Sequence, residues 1–303
     1  MSLLPLKTRI APTPSGFLHV GNVLNFLLIE AWAKTVGATV LLRIDDLDAA
    51  RVRPEFVEHI FESLEALEIQ IDEGPSGPEA LKQTWSQVHR QEFYAQMLDR
   101  YKELPEVYAC TCSRKTLAEQ GCLCQKEISH SNENPALRLS LKEHRAKAWP
   151  FIFKEEKAVT SLVALAGESI AIQKKDGQAA YQITSIADDL HFKVSHIIRG
   201  ADLMPSSAIQ EYLLVLSHET SPFSYWHHPL CLDVNGEKLS KSTGAHPARK
   251  WQDMGLQPKD LFQEALRLAF GNGHYRIKDK ESFLDLFSET FKKQTAPLGG
   301  AVL

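Results

Sequence analysis

Arg9-Ile10-Ala11-Pro12-Thr13-Pro14-Ser15-Gly16-Phe17-Leu18-His19-Val20-Gly21-Asn22 leads from a short strand into an apolar run, Val23 to Trp32, long enough for a helix. Pro12 and Pro14 prevent ordinary ladder pairing beyond Ala11, and Gly16 allows a tight turn. Asn22 is expected to cap the helix and Gly37 to end it. A helix N-terminus behind such a turn is a place to hold phosphate, because its unpaired N–H groups point outward. His19 stands at that mouth with a donor or a positive charge to offer. Alone, the stretch reads equally well as a proline-rich loop with a packed histidine. A second stretch lies far downstream, Lys238-Leu239-Ser240-Lys241-Ser242, after a strand-like run from Trp226 to Asp233 and an Asn235-Gly236 turn. Two lysines beside a turn suit a polyanion, though a lone Lys/Ser run is usually a solvated loop. The pair together, in this order and separation, is far more specific.

Cys110-Thr111-Cys112 and Cys122-Leu123-Cys124 form a third constellation, two Cys-x-Cys pairs with nine residues between them. Four thiolates at such short range suit tetrahedral zinc, with free or redox-active thiols as the alternative. Such a site is closed and braces its surroundings rather than doing chemistry. Cys231 is read most simply as a buried strand cysteine.

The elements that must carry these groups read as α/β. Ala38 to Ile44 is a β-branched, mostly apolar run, as a buried parallel strand should be, and its C-terminal end delivers Asp45, Asp46 and Asp48. Residues beyond the carboxyl ends of strands line the crevice of an open α/β sheet. Pro54 opens a helix whose stripe, Val57, Ile60, Phe61, Leu64 and Leu67, is core. A loop spans Asp72 to Pro78, and a helix is expected from Ser86 to Glu103. The character changes near Pro105: a strand at Val107 to Cys110, the cysteine knuckle, a polar stretch to Pro135, then short strands to Gln173 and a turn at Lys175-Asp176-Gly177. Residues 105–178 are therefore read as an inserted domain. The α/β pattern resumes with a helix from Ala180 to Leu190, a strand at His196 to Arg199 and a helix from Ser206. Two amphipathic helices, Lys259 to Phe270 and Glu281 to Lys293, close the chain.

The first two stretches resemble the HIGH and KMSKS motifs of class I aminoacyl-tRNA synthetases. The context Arg9 to Gly16 is similar to the glutamyl branch, and the likeness continues through Arg43-Ile44-Asp45-Asp46-Leu47-Asp48, Ala187-Asp188-Asp189 and Ile198-Arg199-Gly200-Ala201-Asp202. Full glutamyl members carry a large anticodon-binding region after the lysine motif, whereas here only residues 243–303 follow it. The resemblance therefore points to the short paralogues of the branch, which attach glutamate to the queuosine base of tRNA(Asp). It implies a Rossmann-like parallel-sheet nucleotide-binding core (1–104 and 179–250), split by a zinc-bearing acceptor-type insertion (105–178) and followed by a short helical tail (251–303).

The same resemblance implies roles. Activating an amino acid with ATP builds negative charge on the phosphoryl oxygens, which calls for positioned donors and cations rather than a covalent nucleophile. His19 and Lys241 are the expected catalytic groups, and His19, Gly21, Lys238 and Lys241 the ATP-binding ones, with Mg2+ on the phosphates and no dedicated cage for it. Arg9, Ala11, Thr13, Asp45, Tyr181 and Arg199 are expected to hold glutamate, with a half-buried core tyrosine as the equal alternative for Tyr181. A guanidinium recognises a carboxylate in bidentate geometry, so Arg9 is the candidate partner of the substrate side chain, an ion pair with the Asp cluster being the alternative. Arg199 matches a second arginine of glutamate-specific members. The family usually has Glu where Asp45 stands and His where Asn22 stands, so the carboxylate that holds the α-amino group is one methylene shorter here. Family zinc sites often use Cys-x-Cys, a tyrosine and a later cysteine, which makes Tyr108 an alternative ligand beside Cys110, Cys112, Cys122 and Cys124.

Bulk properties fit this picture without deciding it. In 303 residues, 44% are hydrophobic and 24% charged, ordinary for a globular protein, and the net charge of −4 means that any tRNA contact needs a local basic patch. Arg138, Lys142, Arg145, Lys147, Lys174, Lys175, Arg249 and Lys250 are candidates for phosphates. Neither a Gly-x-Gly-x-x-Gly loop nor a Walker-type Gly-Lys-Ser/Thr occurs, which counts against dehydrogenases and P-loop enzymes. No secretory start and no run of eighteen apolar residues appears, so a cytoplasmic, membrane-free protein is expected; separately, a monomer is expected.

Overall fold

A computed structural model describes residues 5–122, 124, 134–142, 167–231 and 250–295. In chain order the main elements are β1 (Lys7–Ile10), α1 (Val20–Val36), β2 (Thr39–Leu42), α2 (Pro54–Ala66), α3 (Gln91–Lys102), β3 (Val107–Cys110), α4 (Arg114–Gln120), β4 (Ala136–Ser140), β5 (Ser169–Gln173), α5 (Tyr181–His191), β6 (His196–Gly200), α6 (Met204–Leu216), β7 (Ser224–His228), α7 (Pro258–Phe270) and α8 (Lys280–Thr295). They form two compact units. One contains the chain up to His89, Val194–Ala201 and the chain from Phe223 on; the other contains Arg90–Lys193 and Asp202–Pro222.

In the first unit β1 and β2 pair in parallel from Lys7 opposite Thr39 to Ile10 opposite Leu42, and β6 and β7 pair in parallel from His196 opposite Ser224 to Gly200 opposite His228. The two ladders join where Ser195 N–H donates to the Lys7 carbonyl and Lys7 N–H to Ser195 Oγ, each at 2.9 Å. The strand order is thus β2-β1-β6-β7, and the winding reverses between β1 and β6. Pairing runs on past β1, because Arg43 N–H reaches the Ile10 carbonyl and Asp45 N–H the Pro12 carbonyl, both at 2.9 Å. Pro12 cannot donate, but it still accepts.

Helix α1 is longer than the apolar run that announces it. Val23, Leu24, Phe26 to Ala33 are all buried, the pattern of a helix enclosed on every side. Its flanks are covered by α7 and α8, whose Phe262 and Phe283 stack with centroids 5.2 Å apart, while Trp226 of β7 meets Phe287 and Phe291. Gly37, at φ 71°, closes the helix in the left-handed conformation that only glycine adopts cheaply.

In the second unit β3, β4 and β5 form an antiparallel sheet. The unit reaches beyond 105–178 at both ends for a specific reason. Arg90 meets Asp188 through Nε at 2.7 Å and Nη2 at 3.3 Å, Tyr94 Oη donates to the same carboxylate at 2.8 Å, and Tyr101 Oη donates to the Leu213 carbonyl at 3.1 Å. These bonds bind α3, α5 and α6 into one body. Cys231 departs from its reading: it is half-buried and follows β7 rather than lying in a strand.

Candidate active site and metal centre

Reversal of winding between two parallel strands opens a crevice at their carboxyl ends. Arg9 on β1 and Arg199 on β6 are both buried in the strands that flank this reversal, and Asp45 lies just beyond β2. Ala11 is half-buried and Thr13 exposed in the turn where Ser15 N–H donates to the Thr13 carbonyl at 2.9 Å. Helix α1 begins from this turn, with His19 rather than Asn22 at its N-cap. Asn22 is the third helical residue, and its Oδ1 accepts the His19 N–H at 3.1 Å, so the side chain reaches back to the cap instead of forming it. Gly21 has a distinct task. A Cβ there would stand 3.0 Å from His19 Cε1 and 3.2 Å from Nδ1, so any larger residue would push the imidazole aside by a few tenths of an ångström.

Lys238 and Lys241 lie outside the described residues, and so does the Asn235-Gly236 turn. The described chain on either side of them meets α1 or the residues just before it. On the leading side, His228 at the end of β7 places Nε2 3.0 Å from Asn25 Oδ1. On the returning side, Lys250 stands over the Phe17 ring with Nζ 4.6 Å from its centre, and Trp251 N–H donates to the Leu18 carbonyl at 3.2 Å. The described chain before the lysine-bearing segment thus meets the second turn of α1, and the chain after it meets Phe17 and Leu18, which precede α1.

The carboxylates have unequal work. Arg43 grips Asp45 through Nε at 2.7 Å and Nη2 at 3.2 Å, whereas Asp46 accepts the Gln87 N–H at 2.8 Å and Gln87 Oε1 accepts from Leu47 N–H at 3.0 Å. Within the Asp cluster, Asp45 pairs with Arg43 and Asp48 with Arg51, whose Nη2 stands 2.7 Å from Asp48 Oδ2. Arg199 lies over Tyr225 of β7 at 5.3 Å, a cation–π contact that holds the guanidinium plane against a strand neighbour.

The second unit holds the sulfur cluster. Cys110, Cys112, Cys122 and Cys124 have all four sulfurs within 4.8 Å of one another, with Cys110–Cys122 and Cys112–Cys124 at 3.5 Å. Ligands about 2.3 Å from a tetrahedral zinc would be about 3.8 Å apart, so the donor set fits a metal ion of that kind. Burial pushes the Cys110 thiol up to about 12. Burial also acts against the Cys124 thiolate, but hydrogen bonds from Thr111 and Cys112 outweigh it and hold that thiol down at about 7. Tyr181 opens α5 and is exposed. Several basic candidates are already engaged: Arg138 with Ser169, Lys142 with Glu168 at 3.0 Å, and Lys175 with the Thr111 carbonyl at 2.8 Å. Arg145, Lys147 and Arg249 lie outside the described residues.

Residues 5–295 match the family described as tRNA synthetases class I (E and Q), catalytic domain. The chain belongs to that family. Among the relatives of this synthetase chain, a glutamyl-Q tRNA(Asp) synthetase of Nitratidesulfovibrio vulgaris is 32% identical over 278 residues, 84% of each chain. A glutamate–tRNA ligase of Coxiella burnetii is 27% identical over 296 residues, 93% of this chain and 60% of its own, so the synthetase chain spans about 60% of that relative's length. In structure, a glutamate-tRNA synthetase from Elizabethkingia anophelis aligns at TM-score 0.69 over 97% of this chain and 71% of that one, at 20% identity. A methionyl-tRNA synthetase of Mycobacterium tuberculosis aligns at 0.58 and 15% identity, over 88% and 64% of the two chains. These two likenesses establish the α/β class I fold. No helix among the described residues is long and apolar enough to cross a membrane.

Three groups beside the motifs of this synthetase escaped sequence reading. Tyr225 and Gln252 sit in ordinary strand and loop contexts. His59 falls between Val57 and Ile60 of an amphipathic helix, where a histidine carries no periodic signal. Each acquires a task only through a neighbour distant in sequence.

Proposed function

We propose that this chain activates L-glutamate with ATP to glutamyl-adenylate and transfers the acyl group to the queuosine base in the anticodon loop of tRNA(Asp). The observation that carries this reading is a set of contacts around the start of α1: His228 meets Asn25, and Lys250 and Trp251 meet Phe17 and Leu18, the residues just before His19. His19, Gly21, Lys238 and Lys241 hold the triphosphate, with Mg2+ neutralising its oxygens. The imidazole and the Lys241 ammonium stabilise charge that grows on the phosphoryl group as the glutamate carboxylate attacks and pyrophosphate leaves. Arg9 pairs with the substrate side-chain carboxylate, Arg199 supplies a second guanidinium selecting glutamate over glutamine, Ala11 and Thr13 line the turn, Tyr181 contacts the substrate, and Asp45 holds the α-ammonium. The shorter Asp45 keeps the charge of the family's Glu but not its reach, so glutamate sits slightly deeper or is met through water. In the site of Cys110, Cys112, Cys122 and Cys124, zinc supplies structural bracing for the acceptor-type insertion, 105–178. The protein works as a cytoplasmic monomer on tRNA.

Sequence identity supports the choice of acceptor, since the glutamyl-Q relative is the more similar of the two named relatives at 32% against 27%. The test is glutamate attachment to tRNA pools with and without queuosine, with periodate and nuclease mapping of the labelled product. Label on the modified anticodon base upholds the proposal. Label on the terminal adenosine of tRNA(Glu) makes the chain a glutamate–tRNA ligase catalytic domain instead. Loss of glutamate-dependent ATP–pyrophosphate exchange would leave a non-catalytic tRNA binder.

A further inference from the structure

His59, on α2, is fully buried, yet both of its ring nitrogens are engaged by segments far away in sequence. Leu18 N–H donates to Nδ1 at 3.1 Å, and Nε2 stands 2.9 Å from Gln252 Oε1. A nitrogen that accepts from an amide carries no proton, so the ring is neutral and its one hydrogen is on Nε2, donated to Gln252. The surroundings hold the ring in this pose. Phe17 meets it edge-on at 5.3 Å and Phe56 meets Phe17 at 4.9 Å, while Trp251 Nε1–H donates to Ser63 Oγ, one helical turn on from His59, at 3.0 Å. Leu18 immediately precedes His19. Gln252 lies in a short 3-10 helix, Trp251–Met254, that begins right after Lys250. One imidazole therefore ties the residue before His19 to the side chain of Gln252, two residues after Lys250.

We propose that His59 is a positioning residue for the adenylate-forming step: its neutral imidazole ties the Leu18 backbone to the Gln252 side chain and so sets where His19 stands relative to the Lys250–Gln252 return. This rests on the function proposed above. Protonation would set an N–H on Nδ1 against the Leu18 N–H and break the tie. Burial opposes that protonation and pushes the imidazole below its ordinary value, with Lys250 acting in the same direction and Gln252, Glu62 and Asp253 acting against it. A misplacement of reacting groups by about 1 Å costs on the order of a hundredfold in rate.

Glutamate-dependent ATP–pyrophosphate exchange tests the tie in three variants of the full chain, each first shown to be folded by circular dichroism. His59→Asn keeps an acceptor for Leu18 and loses Gln252; Gln252→Leu removes the same link from the other side; the double variant removes both partners. The expected result is a loss in kcat of roughly tenfold to a hundredfold in each single variant, a higher KM for ATP and an unchanged KM for glutamate. The double variant should be no worse than the worse single, because one link is cut only once. Folded single variants within twofold of an active wild type, or losses that multiply in the double variant, would overturn this proposal alone. A wild type without exchange ends both this proposal and the function on which it rests.

Discussion

Arg43 and Asp45 face each other two residues apart on one side of an extended segment, joined through Nε at 2.7 Å and Nη2 at 3.2 Å with both side chains less than a tenth exposed. A buried pair broken from one side leaves the other charge uncompensated, at a cost of about 3–5 kcal/mol. Arg43→Met is therefore expected to lower unfolding free energy by about that amount in urea titrations. Asp45→Asn should lose comparable stability and, on the proposed function, raise KM for glutamate while leaving KM for ATP in place. An Asp45→Asn enzyme with normal glutamate KM would remove Asp45 from the amino-acid site.

Gly21 predicts a steric effect at one remove. An added Cβ at 3.0 Å from His19 Cε1 must displace the ring. Gly21→Ala should then behave as a weak copy of His19→Ala in pyrophosphate exchange. For His19→Ala the loss in kcat should be about 10²–10³, the cost of one oxyanion donor. Equal activity of Gly21→Ala and the wild type would show that the imidazole does not need its present place.

The four sulfurs within 4.8 Å predict one metal ion per chain in elemental analysis, with zinc expected. A strong chelator, or Cys112→Ser, should lower the melting temperature and expose thiols to a colorimetric reagent. Cys231, half-buried and with its thiol pushed up by burial to about 11, should react slowly whether or not metal is bound. Unchanged melting with and without chelator would leave the cysteines as free thiols.

His59 makes stability depend on pH with a definite sign. Its folded-state value lies below the ordinary 6.5, so the unfolded chain binds a proton more readily. The stabilisation is present in full above pH 6.5, declines below it, and is lost once the pH passes the depressed value. Melting curves of the wild type between pH 7.5 and pH 5 should therefore fall more steeply below pH 6.5 than those of His59→Asn. Parallel curves would contradict the neutral, amide-bound ring.

Glu30 titrates in the opposite sense. Burial in α1 pushes its carboxyl above the ordinary 4.5, although Gln70 N–H at 2.9 Å and the Lys280 ammonium at 2.9 Å counteract part of this. A raised value means that its contribution to stability is greatest below pH 4.5 and is lost as pH rises through the folded value. Lys280→Met removes the main compensating charge. Its deficit should reach about 3–5 kcal/mol near pH 8 and shrink as pH falls toward 4.5, measured by urea unfolding. A deficit independent of pH would point to lost packing of α8 instead.

Local chemistry made much of this molecule legible in one dimension. Apolar runs placed β2, α1 and α8 within a few residues, Gly37 marked the end of α1 through its left-handed backbone, and the spacing of four cysteines predicted a cluster that the fold assembles. What one dimension concealed was every relation between distant residues. Asn22 looks like a cap because caps are short and polar, but the backbone starts the helix three residues earlier and turns Asn22 back onto His19. The reach of the second unit beyond 105–178 follows from Arg90, Tyr94 and Asp188, whose pairing no local pattern encodes. His59 depends on it most. Sequence determined only that a histidine lies on an amphipathic helix, outside its apolar stripe; the fold buried it and brought Leu18 and Gln252 to its two nitrogens. Hydrophobic periodicity and turn chemistry act over a few residues, whereas the partner of a buried polar group is chosen by the whole packed chain.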